Sequence, residues 1–156
     1  TKHEKILVIE DDENIRESLV ELLEMKSYEI FSADNGTAGL QMALDQKPDM
    51  ILCDIMMPGL TGYEVIEAIR NNPSFTKTPF VFLSAKAMES DIQKGLQLGA
   101  NNYLTKPFRA SELFGLVDKH LNNNGNGGSG IGKAVDQLLT MVAEWEAWLN
   151  RRVATI

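Results

Sequence analysis

The sequence predicts an α/β fold, a doubly wound sheet of five parallel strands. Three observations lead there. Short apolar runs recur five times, at 6–9, 30–33, 50–53, 80–83 and 103–104. Most are continuous rather than alternating, as in strands covered on both faces. Amphipathic segments at about 14–26, 37–46, 62–71, 88–98 and 110–121 separate them, so five βα units follow one another with right-handed crossovers.

Each element has its own warrant. The run at 6–9 is aliphatic throughout and ends at Glu10. In the helix after it, Ile15, Leu19, Leu22 and Leu23 recur at helical spacing, and Asp12 or Asn14 offers a cap. The second run, 30–33, leads into the helix over 37–46. The third runs into Asp54, and Gly59 suits the turn that opens the third helix. The fourth runs into Ser84. The fifth runs into Thr105, Lys106 and Pro107, and both Pro107 and Pro73 stand outside helices as breakers should.

Composition narrows the function. The chain has 156 residues, 44% of them apolar, enough for one domain with an appendage. The net charge of −7 argues against sequence-independent binding to nucleic acid, which needs a basic surface. No apolar stretch approaches the length of a spanning helix. The segment 1–5 is polar and unlike a signal peptide, so a cytoplasmic location away from membranes is expected. Cys53 is the only cysteine, which rules out an internal disulfide, and within its apolar strand it reads as an inert buried thiol. Two histidines leave no basis for a His-rich metal site, and no glycine cluster is followed by the Gly-Lys-Ser/Thr of a phosphate loop.

Chemistry gathers at the strand ends. Glu10, Asp11 and Asp12 follow the first strand, Asp54 the third, Ser84 the fourth, and Thr105 and Lys106 the fifth. In open parallel sheets ligands bind beyond the carboxyl ends of the strands, so these groups share one cleft. Any one acidic residue here could be a solvated turn former. Together, at successive strand ends and opposed by a lysine, they point to a site. Neighbouring carboxylates repel and favour a divalent cation between them, and an all-oxygen set suits Mg²⁺. A hydroxyl and an ammonium beside that cation suit a phosphoryl group. An aspartate can itself be the nucleophile, giving an aspartyl-phosphate.

The segments Leu7-Val-Ile-Glu-Asp-Asp12, Asp54-Ile-Met-Met-Pro-Gly59, Leu83-Ser-Ala85 and Tyr103-Leu-Thr-Lys-Pro-Phe108 resemble, in order and spacing, the signature of response-regulator receiver domains of two-component signalling. The resemblance covers about 4–121 and implies a flavodoxin-like sheet of strand order 2-1-3-4-5. It implies that Asp54 is the phosphoacceptor. Asp12 and Asp54 would ligate Mg²⁺ directly, Asp11 through water, and the Met56 backbone carbonyl would complete the protein ligands. Ser84, in place of the commoner threonine, would bond a phosphoryl oxygen, and Lys106 would pair with the phosphoryl charge. Tyr103 matches the switch aromatic, small Ala85 would leave the site open, and Met56 and Lys86 sit where such domains tune phosphoryl lifetime. The implied phosphodonor is a sensor histidine kinase or a phosphotransfer protein, and the implied output is an altered affinity for a protein partner.

The remaining residues differ in character. The charge of −7 resides on 1–121, and 122–156 is neutral. Residues 122–130 are Asn, Gly and Ser only, which predicts a flexible tether resembling an engineered linker between a receiver domain over 1–121 and a segment over 131–156. In that segment Ile131, Val135, Leu138, Val142, Trp145, Leu149 and Val153 fall on one side of a helix, with Trp148 on its flank. Such a stripe must dock on something. The helix reads as a fragment of a partner protein, anchored by Leu138, Val142, Trp145, Trp148 and Leu149 on the face carrying Tyr103, with the groove between the first and fifth helices as the rival site. The tether also lets the helix cross to a neighbouring molecule, giving a swapped dimer.

Two other classes compete. An aspartyl-nucleophile phosphatase shares the Asp, Ser and Lys chemistry, but the chain is too small to include a cap domain over an organic substrate. A phosphorylation-independent scaffold would keep the site and use only the surface. Neither predicts uptake of one phosphoryl group that alters partner affinity.

Overall fold

The computed structural model describes residues 3–85 and 88–121. The expected tether over 122–130, the helix over 131–156 with its five anchors, and Lys86 lie outside the described residues. The elements run β1 (Lys5–Ile9), α1 (Glu13–Glu24), β2 (Glu29–Ala33), α2 (Gly36–Gln46), β3 (Met50–Asp54), α3 (Gly62–Asn71), a 3₁₀ turn (Pro73–Phe75), β4 (Phe80–Ser84), α4 (Glu89–Gln97), β5 (Asn102–Thr105) and α5 (Ala110–Leu121). The strands form one parallel sheet in the order β2-β1-β3-β4-β5. The chain divides into two units after Lys106, and the whole sheet belongs to the first.

The apolar runs explain the strand order. Every residue of β3 and β4 is buried, whereas β2 at the edge keeps two of its five exposed. Leu7, Ile9, Ile51, Cys53, Phe80 and Phe82 join Val65, Ile66, Ile69 and Phe75 in one core, which fixes α3 on the sheet. Register then sets the site. Ile9 pairs with Cys53, Asp54 with Leu83, and Ser84 with Thr105, so Glu10, Asp54, Ser84 and Lys106 emerge at one edge.

Local signals set the helix starts. Asp12 caps α1 by accepting from Ile15 N at 3.0 Å, and Asn35 caps α2 by accepting from Ala38 N at 2.8 Å. Thr61 and Glu64 close a capping box on α3. The start of α4 has no side-chain cap, and Gly95 is its one buried residue. Pro73, expected only as a breaker, opens the 3₁₀ turn. In α5 the buried residues Ala110, Leu113, Phe114 and Val117 share one face. Among the described residues no helix is long and apolar enough to cross a membrane.

Candidate functional site

Glu10 is the first residue beyond β1 and is fully buried. Its backbone N–H donates to Ala33 O at 3.0 Å, and its carbonyl accepts from Arg16 Nη1 at 2.9 Å. The Glu10 carboxylate takes the Asp12 N–H on Oε2 at 3.1 Å and the Lys106 ammonium on Oε1 at 2.6 Å. Asp54 closes β3 and is 6% exposed. It accepts from Lys106 Nζ on Oδ2 at 3.3 Å and from Met56 N on Oδ1 at 3.4 Å. Lys106 is itself pinned to the sheet by its N–H, which donates to Ser84 O at 2.8 Å. One ammonium thus bridges two buried carboxylates.

The charges perturb one another. Burial pushes the Glu10 carboxyl up to about 8, Lys106 pulls it down, and the Asp54 charge adds to the rise. For Lys106 burial acts downward, but Glu10 and Asp54 outweigh it and leave the ammonium above its ordinary value. Carboxylate oxygens of Glu10, Asp11 and Asp54 lie within 4.8 Å of one another, with Asp11 exposed. This hard, all-oxygen set, open to water on one side, fits Mg²⁺, which keeps several of its waters.

The cluster differs from the sequence reading by one residue. Asp12 was expected to ligate Mg²⁺ directly and Asp11 through water. The Asp12 carboxylate instead faces its own helix as the cap on Ile15, and the third carboxylate of the cluster is Glu10. The reason is register: β1 ends at Ile9, so the first two residues past the strand are Glu10 and Asp11. Counting from the last aliphatic residue was the signal that could have found Glu10.

The other expected residues divide. Ser84 is 1% exposed at the end of β4, and a side-chain hydrogen bond links it to Tyr103 on β5. Ala85 is exposed immediately after β4, and Met56 is 57% exposed beside Asp54. Cys53 is fully buried, its Sγ 3.2 Å from Asp54 O, and burial followed by the Asp54 and Glu10 charges pushes its thiol well up, away from the reactive thiolate.

Gly62 went unnoticed as a site residue. Its N–H donates to Ile55 O at 2.9 Å, closing the loop that follows Asp54. A Cβ on Gly62 would stand 2.4 Å from Asp54 O and 2.8 Å from Ile55 Cα. Both are backbone atoms, so the loop itself must shift. Gly62→Ala is therefore expected to slow phosphoryl uptake by at least about tenfold, since small misplacements are costly at a reacting centre. Gly115→Ala is the control: no atom of the described residues lies within 4 Å, and alanine in this exposed helical position should add about 0.5–1 kcal/mol in a urea melt. Equal uptake rates in the two variants would contradict the close-approach account.

Comparisons with known proteins agree with one another. The family profile described as the response regulator receiver domain matches residues 6–118. An uncharacterized transcriptional regulatory protein of Bacillus subtilis, YkoG, is 39% identical over 127 residues, covering 81% of this chain and 55% of that protein. The chain spans about half the length of the first curated relatives it matches. Among solved structures, the chemotaxis protein CheY4 of Vibrio cholerae superposes with a TM-score of 0.74 at 29% identity, over 77% of this chain and all of that one. The receiver domain of the sensor histidine kinase PA1611 from Pseudomonas aeruginosa has a TM-score of 0.70 at 30% identity, over 78% of this chain and 99% of its own, with magnesium coordinated in its active-site cleft.

Proposed function

Because the chain belongs to the response regulator receiver family, we propose that it is a phosphorylation-activated switch with Asp54 as the phosphoacceptor. The observation that carries the reading is the shared lysine: Lys106 lies 2.6 Å from Glu10 and 3.3 Å from Asp54, within a cluster that also holds Asp11. An Asp54 carboxylate oxygen attacks the donor phosphorus, a P–O bond forms, and the bond to the leaving group breaks with its electron pair going to that group. The product is an acyl phosphate on Asp54. Lys106 then pairs with a phosphoryl oxygen, and the Ser84 hydroxyl donates to another.

Asp11, Asp54 and Glu10 are the carboxylates that would hold Mg²⁺, the Met56 carbonyl would complete the protein ligands, and the ion would offset charge on the transferring phosphoryl group. The donor is a sensor histidine kinase or a phosphotransfer protein, and no reaction beyond phosphoryl gain and loss at Asp54 is assigned. Engagement of Ser84 by the phosphoryl group changes its bond to Tyr103, and that change is what a protein partner reads. By sequence alone, residues 131–156 supply such a partner's helix.

Calorimetric titration tests the reading. Mg²⁺ should bind weakly alone and more tightly with beryllium fluoride, a phosphoryl mimic. Asp11→Asn should weaken Mg²⁺ binding by about tenfold or more. Asp12→Ala should leave it within about twofold and cost about 1 kcal/mol of stability through the lost cap. A larger loss of Mg²⁺ affinity in Asp12→Ala than in Asp11→Asn would restore Asp12 as the ligand and overturn this assignment.

A further inference from the structure

Three rings line up beneath α4. Tyr63 of α3 meets Phe82 of β4 edge-on, with centroids 5.6 Å apart and planes at 69°. Phe82 lies 6.3 Å from Tyr103 of β5 at 57°. Gly95 lets α4 approach this row, since a Cβ there would stand 2.8 Å from the Phe82 ring. Lys94, the preceding residue of α4, places Nζ 4.3 Å from the centroid of Tyr63, well within cation–π range.

Two features are out of balance. Among the described residues the Tyr63 hydroxyl is buried and has no hydrogen-bond partner. Buried hydroxyls are normally paired, and an unpaired one destabilises the arrangement that holds it. Meanwhile α4 is lightly attached: no side-chain cap, one buried residue, and Met88 at its start 69% exposed. Asp91, three residues before Lys94 and so on the same helix face, acts electrostatically on both Tyr63 and Tyr103.

We propose that Tyr63 is a positioning residue of the switch, whose ring, between Phe82 and Lys94, holds α4 on the sheet while its unpartnered hydroxyl works against that placement. The inference rests on the phosphorylation reading above. When Ser84 and Tyr103 rearrange, a shift of α4 along the Tyr63 ring exchanges Lys94 for Asp91, and the Asp91 carboxylate accepts the hydroxyl. The two arrangements thus differ in one hydrogen bond and one cation–π contact, which gives α4 two nearly balanced positions.

Two variants test this with opposite signs. Tyr63→Phe keeps the ring and removes the hydroxyl. Without ligand it should melt about 3–6 °C higher, because the orphan is gone. With Mg²⁺ it should bind beryllium fluoride about 3- to 10-fold more weakly, because the shifted arrangement has lost its bond. Lys94→Met removes the cation from the ring, so it should melt lower and bind the same probe about 2- to 3-fold more tightly. A purely structural role would move the melting temperature without the opposed changes in affinity. Tyr63→Phe melting lower, or both variants binding like the wild type, overturns the inference while wild-type binding keeps the parent reading standing. A wild type that binds no beryllium fluoride with Mg²⁺ overturns both.

Discussion

Replacing Lys106 with alanine is expected to destabilise the metal-free protein by about 2–4 kcal/mol, because removing one partner of a buried ion pair strands the other charge. The side chains of Lys106, Glu10 and Asp54 are 14%, 1% and 8% exposed, so water offers little relief. The loss should depend on pH. The Glu10 carboxyl rises from an ordinary 4.5 to about 8 in the folded protein. Between those values the folded state holds a proton that the unfolded state has released, so stability declines as pH rises through that window. Without Lys106 the decline should steepen, since the cation that favoured ionised Glu10 is gone. Mg²⁺ should restore part of the stability by replacing the missing positive charge. Urea midpoints at pH 6 and pH 8, with chelator and with Mg²⁺, measure all three effects. A variant equally stable at both pH values, and indifferent to Mg²⁺, would show that Lys106 does not compensate these carboxylates.

Much of this architecture is legible in the sequence because it rests on continuous apolar runs. β3 and β4 are buried on both faces, so their runs of apolar residues have no alternation to confuse the reading. The same parallel register brings the residues after each run to one edge of the sheet, which is why Asp54, Ser84 and Lys106 group together on a count of residues alone. Glu10 and Asp12 show where the sequence leaves a choice open. Three acidic residues follow β1, and composition does not say which two face the cleft. The choice is made by where the strand stops and where the α1 cap begins, a matter of one residue in register. Gly62 failed differently. Its importance is the space its missing Cβ leaves for Asp54 O, a tertiary fact with no sequence periodicity. Tyr63 carries no signal in the sequence, and only the fold shows its hydroxyl buried without a partner among the described residues.

The two-component reading stands or falls on the Asp54 carboxylate. Asp54→Asn preserves shape but substitutes an amide, which cannot form an acyl phosphate. Asp54 is 6% exposed at the end of β3, and its neighbours Glu10 and Lys106 remain in place, so the fold should survive the change. The loss of phosphorylation is expected to be complete rather than partial, since the nucleophile itself is gone. The direct measurement is intact-mass spectrometry after incubation with a small acyl-phosphate donor and Mg²⁺, followed by peptide mapping. The wild type should gain one phosphoryl group, on the peptide containing Asp54, and chelation of Mg²⁺ should prevent it. Asp54→Asn should gain none. Equal uptake by Asp54→Asn, or a phosphoryl group mapped to any other residue of the wild type, would contradict the account.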